Sequence, residues 1–220
     1  MVKTIYGLEV RTALPEICNP ANIALLIYDM QVGIVSQIQD AERVIAKVGQ
    51  VLHAARQARM RVLFTRHMSL PVELMGAFQL RMAMKWQRLE DPDQVRPWFL
   101  RDSPGFPIVP RLAPLASEAV LDKITMSAFE GTPLNIALRD CGISAVAIAG
   151  TALEVGIEPT VRHAVDLGLI PVIISDACGS GDPKAAQRSL ESLAFEGNAV
   201  LTDVAAFIEV VGHATDTGQH

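Results

Sequence analysis

Cysteine is scarce in this chain. There are three in 220 residues, an odd number with no metal-like spacing. That argues against a disulfide framework and points to reduced thiols in a cytoplasmic protein. The five histidines form no HxxxH pair or other metal spacing, so no metal and no other cofactor is expected. Positive charge is neither abundant nor gathered. Nineteen Lys and Arg stand against 24 Asp and Glu, giving a net charge of −5 and a pI near 5.5, and they are scattered. No nucleic-acid footprint follows from that pattern. Long hydrophobic runs are missing too. The longest are strand-length, which excludes a membrane span, and Met1-Val-Lys-Thr-Ile-Tyr-Gly7 lacks the apolar core of a signal peptide. Internal repeats and low-complexity segments are absent.

Half of the residues are hydrophobic, which at this length suits one compact α/β domain over residues 1–220. Residues 1–21 read as an irregular or extended lead-in, with Pro15 and Pro20 opposing regular structure. Ile23-Ala-Leu-Leu-Ile-Tyr28 is a continuous apolar run, the mark of a strand covered on both faces. It ends in Asp29-Met30-Gln31, and a carboxylate directly after a buried strand is unusual unless it has work or a partner. Residues 40–59 predict an amphipathic helix, with Val44, Val48, Val51, Leu52 and Ala55 on one stripe. Arg61-Val-Leu-Phe-Thr65 predicts a second strand, leading into Arg66-His67.

Residues 68–117 interrupt this alternation. Leu74, Phe78, Met82 and Trp86 step by four and predict a helix between about 72 and 89, after which Pro92, Pro97, Pro104, Pro107, Pro110 and Pro114 punctuate a long excursion. Such an insertion is usually functional, covering a site and supplying substrate contacts. A packing or interface segment is the alternative.

Alternation then resumes. Ala119-Val-Leu-Asp-Lys123 predicts a short strand ending in a lysine. A helix follows with Thr132 as N-cap, Pro133 at its first position and Gly142 past its end. Leu134, Leu138 and Cys141 form its buried stripe, which makes Cys141 a core residue. A strand over 144–149 leads to Gly150, a tight corner, and to a helix opening near Pro159 and closed by Gly168. A strand over 169–174, a helix over 183–196, a strand over 199–201, a helix over 203–211 and a flexible tail over 212–220 complete the chain.

Strands alternating with helices imply a doubly wound parallel sheet with helices on both faces. Ligands bind such sheets beyond the carboxyl ends of the strands. That rule brings Asp29, Lys123 and the 150–156 turn to one edge. An Asp–Lys pair beside a helix-start turn is an acid/base site: the lysine holds the carboxylate ionised while burial opposes it, and the turn's N–H groups can receive an oxyanion. A simple structural ion pair is the alternative. Gly156 sits within the turn. Any other residue there projects a side chain into the enclosed space, although permitting a positive φ is by itself a sufficient reason for glycine.

Three segments carry a resemblance. Ile27-Tyr-Asp-Met-Gln31, Leu121-Asp-Lys-Ile-Thr-Met-Ser-Ala-Phe129 and Ala149-Gly-Thr-Ala-Leu-Glu-Val-Gly-Ile-Glu-Pro-Thr-Val-Arg162 resemble, in order, the signature segments of the isochorismatase-like hydrolases. That superfamily includes nicotinamidases and N-carbamoylsarcosine amidohydrolases. The similarity runs from about residue 22 to 205, and Tyr6-Gly-Leu-Glu-Val10 also resembles some members. The resemblance implies a six-stranded parallel sheet and an Asp–Lys–Cys triad. Asp29 and Lys123 take the first two places, and Gly156 takes the place of the cysteine. It also implies a cis peptide at Thr151–Ala152 beside the oxyanion site. The nicotinamidase metal motif, Asp-x-His, is absent around Arg66-His67-Met68, leaving His67 as a substrate contact or surface residue. Gln79, Arg88 and Trp98 are candidate contacts to a carboxylated ring. Family members are commonly dimers or tetramers, and the apolar segment around Met75, Phe78 and Trp86 suits such a seam.

Without a side chain, position 156 excludes a thioester. Three readings remain. One is a hydrolase of a small carboxylated or amide metabolite acting without a thiol, as in isochorismatases, where an aspartate protonates the enol carbon of a vinyl ether and water attacks the oxocarbenium ion. Another is a ligand-binding pseudoenzyme descended from a cysteine hydrolase. The third is an interaction subunit that keeps only the fold.

Overall fold

The computed structural model describes residues 2–197 and 199–216, the side chains of 214–216 apart. The chain opens with an antiparallel hairpin, β1 (Lys3–Ile5) and β2 (Leu8–Val10), turned by Tyr6 and Gly7, both at positive φ (49° and 80°). Two central residues at positive φ suit the twist of a two-residue hairpin. The lead-in, expected to be irregular or extended over 1–21, is extended in this hairpin, and the short helix α1 (Leu14–Ile17) is the element not foreseen there. Every residue of both strands is exposed, so no core-facing alternation marks them in the sequence.

The remaining elements are β3 (Ile23–Tyr28), α2 (Val32–Val35), α3 (Ala41–Gln57), β4 (Arg61–His67), α4 (Ala77–Gln87), β5 (Ala119–Lys123), α5 (Leu134–Asp140), β6 (Ala145–Gly150), α6 (Glu158–Asp166), β7 (Ile170–Cys178), α7 (Pro183–Glu196), β8 (Val200–Thr202) and α8 (Val204–Asp216). Strands β3 to β8 form a parallel sheet in the order β5-β4-β3-β6-β7-β8. The chain winds outward from β3 to β5, then returns to pair β6 against β3 and winds the other way. The strand order therefore reverses between β3 and β6, and such a reversal opens a crevice at the carboxyl ends.

Alternation along β3 divides the core. Ile23, Leu25 and Ile27 pack with Val48, Val51 and Leu52 of α3 and Phe207 of α8. Ala24, Leu26 and Tyr28 pack with Leu134 and Leu138 of α5, Val161 of α6 and Leu193 of α7. All six β3 residues are buried, which is why the strand reads as an unbroken apolar run. Each large aliphatic side chain so buried contributes roughly 1.5–3 kcal/mol.

Several boundaries differ from the sequence reading. The single helix over 72–89 is a 3-10 turn (Val72–Leu74) followed by α4, broken at Gly76, whose backbone is extended (φ −74°, ψ 168°). No residue of α4 is buried. The N-cap of α5 is Pro133, not Thr132, and the helix begins one residue later than expected, at Leu134; Thr132 Oγ1 still accepts the Leu134 N–H at 3.2 Å from the position before the cap. Cys141 is exposed, not core. The helix stops at Asp140, so Cys141 falls outside the Leu134–Leu138 stripe. β7 runs four residues past 174, α8 continues from the expected 211 to Asp216, and residues 217–220 of the expected tail lie outside the described residues.

Candidate active site

Four neighbouring strands deliver the site. Asp29 follows β3 in a left-handed conformation (φ 45°), which costs a non-glycine residue about 1–2 kcal/mol. Its backbone is fixed on both sides: the Asp29 N–H approaches Thr65 Oγ1 at 3.2 Å, and its carbonyl accepts the Thr151 hydroxyl at 3.3 Å. Its carboxylate accepts the Thr65 hydroxyl at 2.7 Å on Oδ1 and the Lys123 ammonium at 2.6 Å on Oδ2. Lys123 ends β5, opposite His67 of β4 in the register. Its Nζ also donates to the Thr125 carbonyl at 3.2 Å and lies 4.4 Å from the centre of the Tyr28 ring. Both side chains of the ion pair are buried, at 0% and 6% exposure.

Gln31 locks this arrangement. Its Oε1 accepts the His67 N–H at 2.6 Å, and its Nε2 donates to the His67 and Phe106 carbonyls at 3.0 and 2.9 Å. One buried amide thus ties the residues after β3 to the end of β4 and to the 68–117 excursion. The sequence reading assigned Gln31 no role.

Beyond β6 the backbone is forced by close approach. Gly150 has φ 135°, and a Cβ there would lie 2.1 Å from the Tyr28 carbonyl oxygen on β3. The Thr151–Ala152 peptide is cis. The chain then makes a wide turn over Leu153–Ile157 before α6. The Ala152 carbonyl accepts the N–H groups of Val155, Gly156 and Ile157 at 3.3, 3.0 and 3.2 Å, and the Leu153 N–H goes to Gly179 at 2.9 Å. The turn therefore spends most of its donors on itself. Ala152, which borders the cavity, has an N–H without an acceptor among the described residues. Gly156 is not at positive φ. Its requirement is space: an added Cβ would lie 2.1 Å from Tyr28 Oη and 2.5 Å from Cζ.

Tyr28 is a second residue to which the sequence reading gave no role. It is 1% exposed, and its hydroxyl donates to the Met126 carbonyl. Burial, and then the charge of Asp29, push the phenol well above its usual value, so it stays protonated. The available signal was a bulky aromatic ending an otherwise aliphatic strand, on the face shared with Ala24 and Leu26.

Above these residues lies a cavity of about 190 Å³, bordered by Tyr28, Asp29, Gly156, Thr151 and Ala152 below and by His67, Trp86, Trp98 and Phe99 at the sides. A neighbouring recess of about 90 Å³ shares those four side residues and adds Gln79. Lys123 reaches the cavity only through Asp29. Arg88 borders neither space; it is the exposed left-handed cap of α4 (φ 56°). Other cations nearby are committed, Arg66 and Arg101 both to Asp122 at 2.7 and 3.3 Å. His67 is neutral at pH 7, because burial, and then the Lys123 ammonium, push it down to about 4. Among the described residues, Asp29 is thus the only charged group lining the larger of these two spaces.

The thiols lie elsewhere. Burial pushes Cys18 and Cys178 up to about 12, and Cys141 is on the surface. Among the described residues no group of three or more His, Cys, Asp or Glu is arranged to hold a metal ion, and no helix is long and apolar enough to cross a membrane.

Fold and site together define a doubly wound α/β protein with a buried acid–lysine pair where the strand order reverses. The chain belongs to the isochorismatase family of hydrolases, whose isochorismatase domain it matches over residues 23–206. Among similar proteins, the ureidoacrylate amidohydrolase RutB of Serratia proteamaculans is 28% identical over 186 residues, covering 77% of this chain and 75% of that one. A cysteine hydrolase of Pseudomonas syringae pv. phaseolicola superposes with a TM-score of 0.76 at 24% identity, over 89% of this chain and 95% of that one. The N-carbamoylsarcosine amidase of Thermoplasma acidophilum gives 0.68 at 18% identity, over 83% and 96%.

Proposed function

We propose that the protein hydrolyses a small uncharged metabolite without a cysteine nucleophile, with Asp29 carrying the proton and water attacking. The observation that carries this reading is the buried Asp29–Lys123 pair, whose aspartate borders a largely apolar cavity. A buried ion pair is a weak stabiliser, because desolvation offsets its attraction. Such groups retained at a cavity support chemistry. Gly156, which the sequence resemblance sets at the place of a cysteine nucleophile, has no side chain, and that excludes acyl transfer to this position. Asp29 takes a proton from water as the oxygen bonds to the electrophilic carbon, then returns it to the leaving atom as that bond breaks. Thr65 and Lys123 hold the carboxylate throughout, and the Ala152 N–H is a donor for the developing oxyanion.

The relatives named as amidohydrolases favour an amide or ureido bond. The cavity has no spare cation, which favours an uncharged compound over a carboxylated ring such as isochorismate, and its walls of Trp86, Trp98, Phe99 and neutral His67 suit a flat one. Three unpaired cysteines support a cytoplasmic setting. The exposed face of α4, with Phe78 at 72% exposure, is the seam we assign to a homodimer or homotetramer. A second reading, a ligand-binding protein without turnover, is favoured by one observation: the Gly156 N–H is spent on the Ala152 carbonyl.

The test is turnover of neutral amides, ureides and, as the charged comparison, isochorismate, by wild type and Asp29→Asn. Hydrolysis of a neutral compound that falls roughly 10²–10⁴-fold in the variant, with the fold intact by circular dichroism, supports the proposal. An equally active variant refutes it. Saturable binding of a neutral compound with no turnover moves the assignment to the second reading.

A further inference from the structure

The Tyr28 ring fills the space a side chain at position 156 would need, and it is pinned. The phenol ring leaves no room for any side chain at 156: the added Cβ would lie 2.1 Å from Oη, 2.5 Å from Cζ and 2.6 Å from Cε1. The ring cannot swing away cheaply. Its backbone pairs with Gly150 in the centre of the sheet, its carbonyl accepts the Thr151 N–H at 2.9 Å, its hydroxyl is held by the Met126 carbonyl, and the Lys123 ammonium sits over its face. The same ammonium is bonded to Asp29. The ammonium that grips Asp29 therefore borders the volume the ring fills.

We propose that Tyr28 and Gly156 are an exchanged pair. The phenol occupies the place of a nucleophile side chain at position 156, and removing the ring together with restoring a thiol reopens a nucleophile site served by Asp29 and Lys123. This makes Tyr28 the residue that decides between covalent and non-covalent chemistry in this cavity. It deepens the reading of a site working without a thiol and rests on it. It also means that Gly156→Cys alone does not create a reactive sulfur, because the Tyr28 ring already fills the space the new side chain needs.

The experiment uses the full chain in a Cys141→Ser background, since Cys141 is exposed and would label. Gly156→Cys, Tyr28→Val/Gly156→Cys and Tyr28→Phe/Gly156→Cys are compared by thermal unfolding and by iodoacetamide labelling of the introduced thiol against pH. The single variant is expected to melt roughly 5 °C or more below its background. The Phe variant is expected to melt as low, because the ring carbons remain. The Val variant is expected to recover most of that loss, and its thiol to titrate at least one pH unit below the roughly 8.5 of a free cysteine. A single variant as stable and as readily labelled as the Val variant overturns the proposal, as does a Val-variant thiol titrating at 8.5 or above. If the cysteine variants fail to fold, Gly156→Ala decides: a melting loss present with Tyr28 and absent with Val supports the pair, and equal losses refute it. These readouts need no substrate. Failure here leaves Asp29-dependent turnover standing, and a wild type without turnover leaves the thiol result intact.

Discussion

The neutrality of His67 has a thermodynamic signature that can be worked out in advance. Its ring stands edge-on to Phe99 at 6.0 Å, and burial, followed by Lys123, lowers it from 6.5 to about 4, against Asp29 and the Thr125 carbonyl, which pull it up. The unfolded chain takes up a proton near 6.5, whereas the folded chain refuses it until about 4. Between those values the unfolded state binds more protons, so stability rises with pH across the window and the contribution is complete above 6.5. At 1.36 kcal/mol per tenfold, the loss relative to pH 7 is about 2 kcal/mol at pH 5 and about 3 kcal/mol at pH 4. Carboxylates titrate in the same range, so the measurement is a difference. Urea unfolding of wild type and His67→Gln at pH 7, 5 and 4 isolates the imidazole, and wild type should lose stability faster by those amounts. Parallel pH profiles would refute the reasoning, as would a His67 NMR resonance titrating near 6.5.

Two further expectations concern the surface. Iodoacetamide should label Cys141 of the native protein and leave Cys18 and Cys178 untouched, with no effect on any activity; inactivation that tracks modified Cys178 would contradict the site assignment. Light scattering at micromolar concentration should give a dimer or tetramer mass, and Phe78→Asp should shift it toward the monomer, whereas a monomeric wild type would remove α4 as a seam.

The sheet was legible because its central strands, β3 and β6, are buried on both faces. Runs such as Ile23–Tyr28 and Val146–Ala149 carry no polar interruption, and parallel order follows from helices between them. The strand-end rule directed attention to Asp29 and Lys123, and the structure places them 2.6 Å apart although β4 lies between their strands. Legibility ended where the cause is tertiary. The hairpin at Lys3–Val10 packs no face against the core, so its strands left no period. Cys141 was misplaced by extending a helical stripe one residue past the helix. The reason for Gly156 was invisible because the atoms that demand it belong to Tyr28, 128 positions earlier in the chain. Tyr28 in turn looked like one more apolar residue at the end of a strand. Gln31 escaped for a similar reason, since its partners are backbone groups that no side-chain pattern announces.

The position of Lys123 has a consequence for how the protein fails. β5 is a rim strand with one neighbour, β4, and its first two residues are exposed. Half of the buried ion pair therefore hangs from one of the least supported strands of the sheet, while the other half follows its central strand. Rims open locally at a fraction of the free energy of global unfolding. Opening of β5 along its whole length draws the ammonium away from Asp29 while β3 and β6 remain paired. Activity is therefore expected to fall on mild heating before helical circular dichroism does, and coincident transitions would contradict that order.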